Sequence, residues 1–422
     1  MSSILSVFNK DSLVLLLIIS SKFLTIILGM VNLFLLQYYF GIATLGKYIS
    51  VTSLVLGVSF PIALSLNAHF QRARAHNLPE LINEYISSTL ILGFICGLIS
   101  YILLINIFNY EELEDKFWIF FLVVVFSSLF MVKHSLMGVL KANGKMVSLC
   151  VLEIIVPLLF LLIILIFMLL QMPSASYLLF ILSYFLIEIF SIFYLIIVEL
   201  NKGFFPLPKI NRAFELLNII KERIVSNLSQ AINIYGLVVF ISYSFGPTIA
   251  AFIKIIERAS YMVQLPAISS NQMLVKNVNE AISNNLRHNY VKIFANASKY
   301  IFIYQFMLLL IIITLMHFLV GSNVIENTSF YESYEFIIII SSGYLIATVM
   351  KWPFLRASLI GNTNDMLRAS LLSILVQIIF GLYIFFNQAS LIILLLLYPI
   401  GIVTSNLTLA LFTKQAESSL WK

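Results

Sequence analysis

The apolar stretch Ile249–Leu274 carries three charged residues, Lys254, Glu257 and Arg258. As a helix, this stretch is long enough to cross a hydrocarbon core of roughly 30 Å, which needs about 20 residues. A charge at the bilayer centre costs on the order of 2.5–3.5 kcal/mol, so such residues rarely face lipid without a partner or water. Residues three and four apart share one side of a helix, so the spacing predicts a polar, net positive face.

Lysines also lie inside other apolar runs. Lys22 follows Lys10 by 12 residues, about 18 Å along a helix, which places it near the bilayer midplane. Lys133 and Lys351 lie nearer the ends of their runs, where snorkelling to the membrane surface explains them as well as ligand binding does. Cations in a hydrated crevice attract anions, and Arg binds phosphate oxygens in pairs. The candidate substrate-binding residues are Lys22, Lys254, Arg258, Lys133 and Lys351.

Two acidic residues are candidates for ion coupling or structural pairing. Glu188 lies near the middle of an apolar run, where a carboxyl group can bind a proton or a cation, and a salt bridge explains it equally well. Glu257 is within reach of the basic residues on its own helix. Coupling to H+ or Na+ is therefore left open.

The sequence predicts no enzyme, no catalytic residue and no cofactor. It contains no Walker loop, HExxH or GxSxG motif and no cluster with metal-ligand spacing. Cys96 and Cys150 lie in or near apolar runs and predict neither a disulfide framework nor a metal site.

The composition predicts an all-α polytopic membrane protein. Of the 422 residues 61% are hydrophobic and only 10% are charged, and the mean hydropathy is +1.02. The net charge of +6 is better explained by basic loops at one membrane surface than by nucleic acid, which is not predicted as a partner.

Apolar runs of about 20 residues predict twelve transmembrane helices. We place them roughly at 12–38, 48–68, 85–108, 117–140, 147–170, 177–198, 223–245, 249–274, 298–320, 332–355, 367–386 and 390–413. An even number of spans puts both termini on one side. Lys and Arg flank that side far more often than the other, where only Lys47 and Lys116 lie, so the termini are predicted to be cytoplasmic.

The spans divide into two halves around the longest basic connection. This predicts an N-terminal six-helix bundle at 1–200, a cytoplasmic basic linker at 201–222, a C-terminal six-helix bundle at 223–413 and a cytoplasmic tail at 414–422. The linker is expected to lie along the cytoplasmic surface.

An internal repeat with an offset of 205 residues relates the two halves. Gly41 and Pro61 in the first half correspond to Gly246 and Pro266 in the second. The alternative is chance similarity among apolar segments. Parallel repeats of even helix number would be related by an axis along the membrane normal, with a cavity between them.

The chain resembles the Wzx-type O-antigen and polysaccharide flippases of the multidrug/oligosaccharidyl-lipid/polysaccharide (MOP) exporter superfamily. The resemblance rests on LLQYYFGIATLGKYI, VLKANGKM and SFGPTIAAFIKIIERASYMVQLP, together with the six-plus-six layout. It implies a V-shaped transporter of twelve helices in two bundles, with substrate-recognising cations in a central cavity. Glu153 departs from a uniformly cationic pattern.

The resemblance implies that the protein translocates undecaprenyl-pyrophosphate-linked O-antigen or related repeat units across the bacterial inner membrane by alternating access. Its expected partners are this lipid-linked glycan, membrane lipids, a polysaccharide polymerase and a chain-length regulator. It would serve lipopolysaccharide or other polysaccharide biosynthesis.

Two other functions stay open. A drug or metabolite antiporter of the same superfamily would favour carboxylates over cations in its cavity. A membrane glycan polymerase would need a large external loop or a catalytic constellation, and the sequence shows neither.

Overall fold

The computed structural model describes residues 10–73, 79–108, 116–143, 145–170, 177–199, 206–284, 286–321, 333–353, 356–357, 363–387 and 390–420. Throughout these ranges the chain is helical, with short turns and no strand. The described residues include nine helices that are long and apolar enough to cross a membrane, and two shorter apolar ones, Ser183–Ile197 and Glu335–Val349. The predicted all-α, multi-pass membrane class is therefore confirmed.

The helices are numbered in chain order. The first six are α1 (Lys10–Phe40), α2 (Ile42–Ala73), α3 (Pro79–Phe108), α4 (Lys116–Ala142), α5 (Met146–Leu169) and α6 (Tyr177–Glu199). Next come α7 (Ile210–Ala231), a π-helix (Ile232–Gly236), α8 (Leu237–Phe245), α9 (Pro247–Ser283) and α10 (Arg287–Gly321). The last are α11 (Ser333–Val349), α12 (Thr363–Phe386), α13 (Leu391–Leu395) and α14 (Leu397–Leu420). Where the predicted spans are described they fall mainly on these helices, but α9, which carries the eighth span, is not among the nine that are long and apolar enough to cross a membrane.

The turns after α1 and α8 have the same geometry, as the internal repeat predicts. Gly41 has φ +82° and Gly246 has φ +91°, a left-handed conformation that glycine adopts without strain. In both turns the glycine N–H bonds to the carbonyl four residues before it, and the glycine carbonyl accepts the N–H four residues after it. Pro61 lies inside α2 and Pro266 inside α9, so the two prolines also occupy matching places.

Backbone contacts divide the chain into two compact units, Ser20–Lys254 and Ile255–Lys422, the latter together with Met1–Ile19. In the first unit α2 is the central helix, because it packs against α3, α4, α6, α7 and α8. In the second unit α11 packs against α10 and α14, and α12 packs against α14. The boundaries between these units fall within α1 and α9. The sequence places the domain boundaries at residues 200 and 223 instead, and that domain division stays a prediction.

The connection between α6 and α7 is shorter than the sequence indicated. The sequence predicts that the seventh span begins at residue 223. In the structure α7 begins at Ile210 and continues into the seventh span without a break. The reason is amphipathic periodicity, since Ala213, Leu216 and Ile220 are buried on the side that meets α2 and α3. The second half of the predicted linker is therefore a helix packed on the first unit.

Charged residues hold the start of α7 against α3. Lys209 Nζ lies 2.7 Å from Glu84 Oε1, and Arg212 Nε lies 3.5 Å from Glu84 Oε2. Arg212 also pairs with Glu215 at 2.7 Å, and the Tyr85 hydroxyl donates to Glu215 Oε1 at 2.7 Å. These five residues form a clamp at the start of α7.

Candidate functional site

Lys22, the deepest predicted cation of α1, forms an ion pair with Glu153 of α5. Lys22 Nζ donates to Glu153 Oε1 at 2.8 Å, and the two side chains are 23% and 26% exposed. Because each charge compensates the other, both are tolerated inside spans that are otherwise apolar. The sequence predicts no role for Glu153, which only departs from the uniformly cationic pattern.

Pro157 explains how α1 and α5 are joined at this place. Proline has no N–H, so the carbonyl of Glu153, four residues earlier, has no helical donor. Thr25 Oγ1 lies 2.9 Å from that carbonyl oxygen and 2.8 Å from the carbonyl oxygen of Ser21, and it shares its hydrogen between them. Asn32 Nδ2 donates to the carbonyl of Pro157 at 2.9 Å. Pro157 in the sequence indicates a carbonyl without a helical donor, but it does not indicate which helix supplies the donor.

Lys133 and Glu188 form a second ion pair, between α4 and α6. Lys133 Nζ lies 2.8 Å from Glu188 Oε1, and the side chains are only 12% and 1% exposed. The Ser191 hydroxyl lies 3.3 Å from the other carboxylate oxygen. Sequence analysis left ion coupling and a salt bridge open for Glu188, and the structure shows the salt bridge.

Asn67 extends these polar contacts to α2. Its Nδ2 donates to the carbonyl of His134 at 3.1 Å, and its Oδ1 accepts from Lys141 Nζ at 3.3 Å. Asn67 thus joins α2 to α4 through one backbone carbonyl and one lysine side chain. In the sequence Asn67 is 67 residues from His134 and 74 residues from Lys141, so local spacing does not predict these contacts.

Lys254 lies against the π-helix that interrupts the seventh span. Its Nζ is 3.5 Å from the carbonyl oxygen of Ile234 and 5.3 Å from the centre of the Tyr235 ring. The first distance is a long hydrogen bond and the second is a cation–π contact. A π-helix is rare and is frequently found at functional sites, but the sequence carried no signal for it.

Arg258 and Glu257 belong to the second unit. Glu257 is 9% exposed. Arg258 is half-buried. Within the described ranges, no carboxylate and no hydrogen-bond acceptor contacts its guanidinium. In the predicted eighth span, such a guanidinium needs water or a ligand as its partner.

Lys351 lies in the turn after α11 and is exposed. It has φ +62°, and the next residue, Trp352, has φ +46°. The Trp352 side chain is buried, and its indole N–H donates to Thr348 Oγ1 at 3.1 Å. The exposed position of Lys351 at a helix end fits the snorkelling alternative.

The predicted cations therefore fall into three groups. Lys22 and Lys133 are paired with acids. Lys254 contacts a carbonyl oxygen and an aromatic ring. Arg258 and Lys351 have neither kind of contact among the described residues. No group of three His, Cys, Asp or Glu residues that could hold a metal ion occurs in the described part of the chain.

Comparison with known proteins gives no matching family model and no matching curated protein. Solved structures do match. An inward-facing multidrug resistance MATE family transporter of the MOP superfamily has a TM-score of 0.66 at 13% identity, over 93% of this chain and 95% of that one.

Two more structures match over nearly their whole length. A MOP superfamily transporter from Pyrococcus furiosus, reported to have a binding pocket of reverse polarity that suggests a different function, has a TM-score of 0.64 at 13% identity, with 97% and 95% covered. The MATE transporter ClbM in complex with Rb+ has a TM-score of 0.60 at 12% identity, with 95% and 93% covered. This chain therefore has the fold of the MATE transporters of the MOP superfamily.

Proposed function

We propose that this chain, with its MATE fold, is a membrane transporter that flips undecaprenyl-pyrophosphate-linked O-antigen or a related repeat unit across the bacterial inner membrane. The observation that carries the proposal is Arg258, a guanidinium on α9, in the predicted eighth span, with no partner among the described residues. Alternating access would move the anionic head group while the polyprenyl tail stays in lipid.

The chemistry of Arg258 suits a pyrophosphate. Its planar guanidinium can donate two parallel hydrogen bonds to phosphate oxygens, and such charge-assisted bonds are about twice as strong as neutral ones. These bonds can replace part of the hydration that a pyrophosphate loses on entering the membrane.

The ion pairs give Lys22 and Lys133 a less direct part in this proposal. Each ammonium already has a carboxylate at 2.8 Å, so it can bind substrate only by sharing or leaving that partner. Lys351, exposed in its turn, would meet the head group only at the end of α11. The principal substrate contact proposed here is Arg258, and Lys254 stays a predicted one.

The solved structures support a change of cargo within one fold. The Pyrococcus furiosus transporter is described as having a pocket of reverse polarity and a different function. A MOP-type fold thus accommodates pockets of different charge, which supports an anionic substrate for a chain whose unpartnered deep charge is an arginine.

Ion coupling is proposed to involve Glu257 rather than Glu188. Glu188 is held by Lys133 and Ser191, and Glu257 directly precedes Arg258, the proposed substrate contact, on α9. The complex of ClbM with Rb+ shows that a protein of this fold binds a monovalent cation. The driving ion would be H+ or Na+.

A drug or metabolite antiporter is the second candidate, because one of the matching structures is a multidrug resistance MATE transporter. An organic cation would be repelled by Arg258 and attracted by Glu257. The two functions therefore predict opposite dependence on these residues.

The remaining parts of the proposal follow from the resemblance and from the loop charges. Both termini would be cytoplasmic, and a polysaccharide polymerase and a chain-length regulator would act on the exported repeat units.

The test follows surface glycan, lipid-linked precursor and protein abundance in a host strain that depends on this gene. Arg258→Ala should reduce surface glycan and accumulate precursor at unchanged protein abundance, and Arg258→Lys should retain more export. Arg368→Ala is the matched control, because Arg368 is 69% exposed and its nearest carboxylate oxygen, on Asp365, is 3.9 Å away. Normal export with Arg258→Ala would reject the flippase proposal. Loss of cationic drug efflux with Glu257→Gln, at normal glycan export, would favour the antiporter.

A further inference from the structure

The first turns of α10 have two contrasting sides. On one side Tyr290, Phe294 and Ile301 are buried in a hydrophobic cluster. Lys292 and Lys299 are exposed and lie on the opposite side of the helix. The two lysines are seven residues apart, close to two helical turns, so their side chains leave the helix in nearly the same direction. They are separated by about 10 Å along the helix axis.

The side of α10 that carries the two lysines continues as an apolar surface. Ile303, Phe306 and Leu310 follow Lys299 at helical spacing and are 49%, 46% and 45% exposed. The segment Arg287–Thr314 is long and apolar enough to cross a membrane. Large apolar side chains exposed on such a helix face lipid acyl chains. The lysines therefore lie at the end of a lipid-facing surface.

Two tyrosines mark the level at which this surface ends. Tyr300 and Tyr304 are 62% and 64% exposed and lie within about two turns of Lys299. Tyrosine is enriched at the membrane–water interface because its ring is apolar and its hydroxyl group is polar. Lys299 is thus placed at the level of the lipid head groups, with Lys292 about 10 Å further out.

No nearby acid neutralises this end of α10. The sequence has no Asp or Glu between Glu280 and Glu326. Within the described part of the chain, neither Lys292 nor Lys299 has a carboxylate partner. The first turn of α10 also has no acidic residue, and a helix N-terminus carries about half a positive charge of its own. The lysines and the helix N-terminus therefore attract an anion to the same place.

From this arrangement we infer that the start of α10 is a binding site for an anionic glycerophospholipid such as phosphatidylglycerol. Its phosphate lies between the ammonium groups of Lys292 and Lys299, because their flexible four-carbon stems let both reach it. Its acyl chains pack on the apolar surface that follows, which a free phosphate ion would leave unused. The positive-inside rule explains basic residues at a membrane surface but does not require them to share one side of a helix. The site does not involve Arg258 or the transported cargo, so the inference is independent of the proposed function.

The experiment titrates phosphatidylglycerol onto the purified full-length protein in detergent and counts bound lipid by native mass spectrometry, with phosphatidylcholine as the neutral comparison. The variants are Lys292→Gln, Lys299→Gln, the double variant Lys292→Gln/Lys299→Gln and the conservative Lys292→Arg/Lys299→Arg. The matched control, Lys221→Gln/Arg368→Gln, removes two cations elsewhere, since Lys221 is exposed on α7 and Arg368 is 69% exposed on α12. Each variant is first shown to keep the melting temperature of the wild type.

Each single variant should bind the first phosphatidylglycerol molecule about fivefold more weakly, and the double variant about 25-fold more weakly, because each cation near an anionic head group strengthens binding by about that factor. The double arginine variant and the matched control should bind like the wild type. Phosphatidylcholine binding should be the same in all variants. Added salt should weaken phosphatidylglycerol binding more in the wild type than in the double glutamine variant, because it screens the lysines.

Four outcomes would overturn the inference. Wild-type binding by the double glutamine variant would show that the lysines do not hold the lipid. An equal loss in the matched control would assign the effect to net charge, and an equal loss of phosphatidylcholine would assign it to the acyl chains. Displacement of bound phosphatidylglycerol by excess inorganic phosphate would identify a site for free anions instead of a lipid site.

Discussion

Lys22 and Glu153 lie 131 positions apart in the chain and meet at 2.8 Å between α1 and α5. Their contact stands beside a carbonyl that Pro157 leaves without a helical donor and that Thr25 occupies instead. The cation that the sequence assigned to substrate binding is therefore also part of the attachment between two helices.

This ion pair predicts a compensating exchange. Glu153→Gln should lower the free energy of unfolding by about 1–3 kcal/mol, because it leaves a partly buried ammonium without its carboxylate. The charge swap Lys22→Glu/Glu153→Lys should restore most of the loss. Thermal melting of the purified variants checks this, and equal destabilisation by the single and swapped variants would contradict a specific pair.

The more deeply buried pair predicts a larger effect. Lys133→Met should lower the free energy of unfolding by about 3–5 kcal/mol, because Glu188 is then buried without a counter-charge. Lys133→Met/Glu188→Met should be much closer to the wild type, since both charges are gone. Urea or thermal unfolding in detergent provides the measurement. If the double variant is no more stable than Lys133→Met alone, the loss of stability in Lys133→Met does not come from breaking this ion pair.

The contact between the start of α2 and α8 predicts a crosslink. The Ser50 and Ser242 hydroxyls are hydrogen-bonded, and a Cβ at Gly46 would overlap the carbonyl of Pro247. Ser50→Cys/Ser242→Cys, in a background with Cys96 and Cys150 replaced by Ala, should form a disulfide under mild oxidation. Peptide mass spectrometry detects it.

Transport should stop when this disulfide forms and resume after reduction, because α2 is then tied covalently to α8. Ser50→Cys alone serves as the control. Undiminished transport by a fully crosslinked sample would mean that this contact does not open during the cycle.

The clamp at the start of α7 predicts a local change of dynamics. Glu84 accepts from Lys209 and also meets Arg212, and all three side chains are well accessible to solvent, so little global stability depends on them. Glu84→Ala should speed amide hydrogen exchange at residues 206–216 and leave α4 unchanged. Exchange that is unaltered at 206–216 would show that the buried face of α7 holds this segment by itself.

The helices and the repeat could be predicted because their signals are local. Apolar runs of about 20 residues mark spans whatever they pack against, and Gly41 and Gly246 keep their conformation because each ends a helix in a left-handed turn. The start of α7 was missed because its charged face resembles a surface linker, and burial of Leu216 and Ile220 outweighs that composition.

The partners of the deep charges could not be predicted from the sequence. Whether Lys22 faces Glu153, or Lys133 faces Glu188, depends on which helices are neighbours and how each is rotated. Periodicity within one helix does not contain that information. The contact of Lys254 with Tyr235 depends in addition on a π-helix whose residues, INIYG, resemble any apolar segment.

The central claim is that Arg258 binds an anionic, lipid-linked head group during transport. The most direct measurement is translocation of undecaprenyl-pyrophosphate-linked glycan in proteoliposomes containing the purified protein, with Arg258→Ala, Arg258→Lys and Arg368→Ala compared at equal reconstitution. Loss of charge-assisted hydrogen bonds should slow Arg258→Ala at least about tenfold, with Arg258→Lys intermediate and Arg368→Ala unchanged. A wild-type rate for Arg258→Ala would contradict the claim.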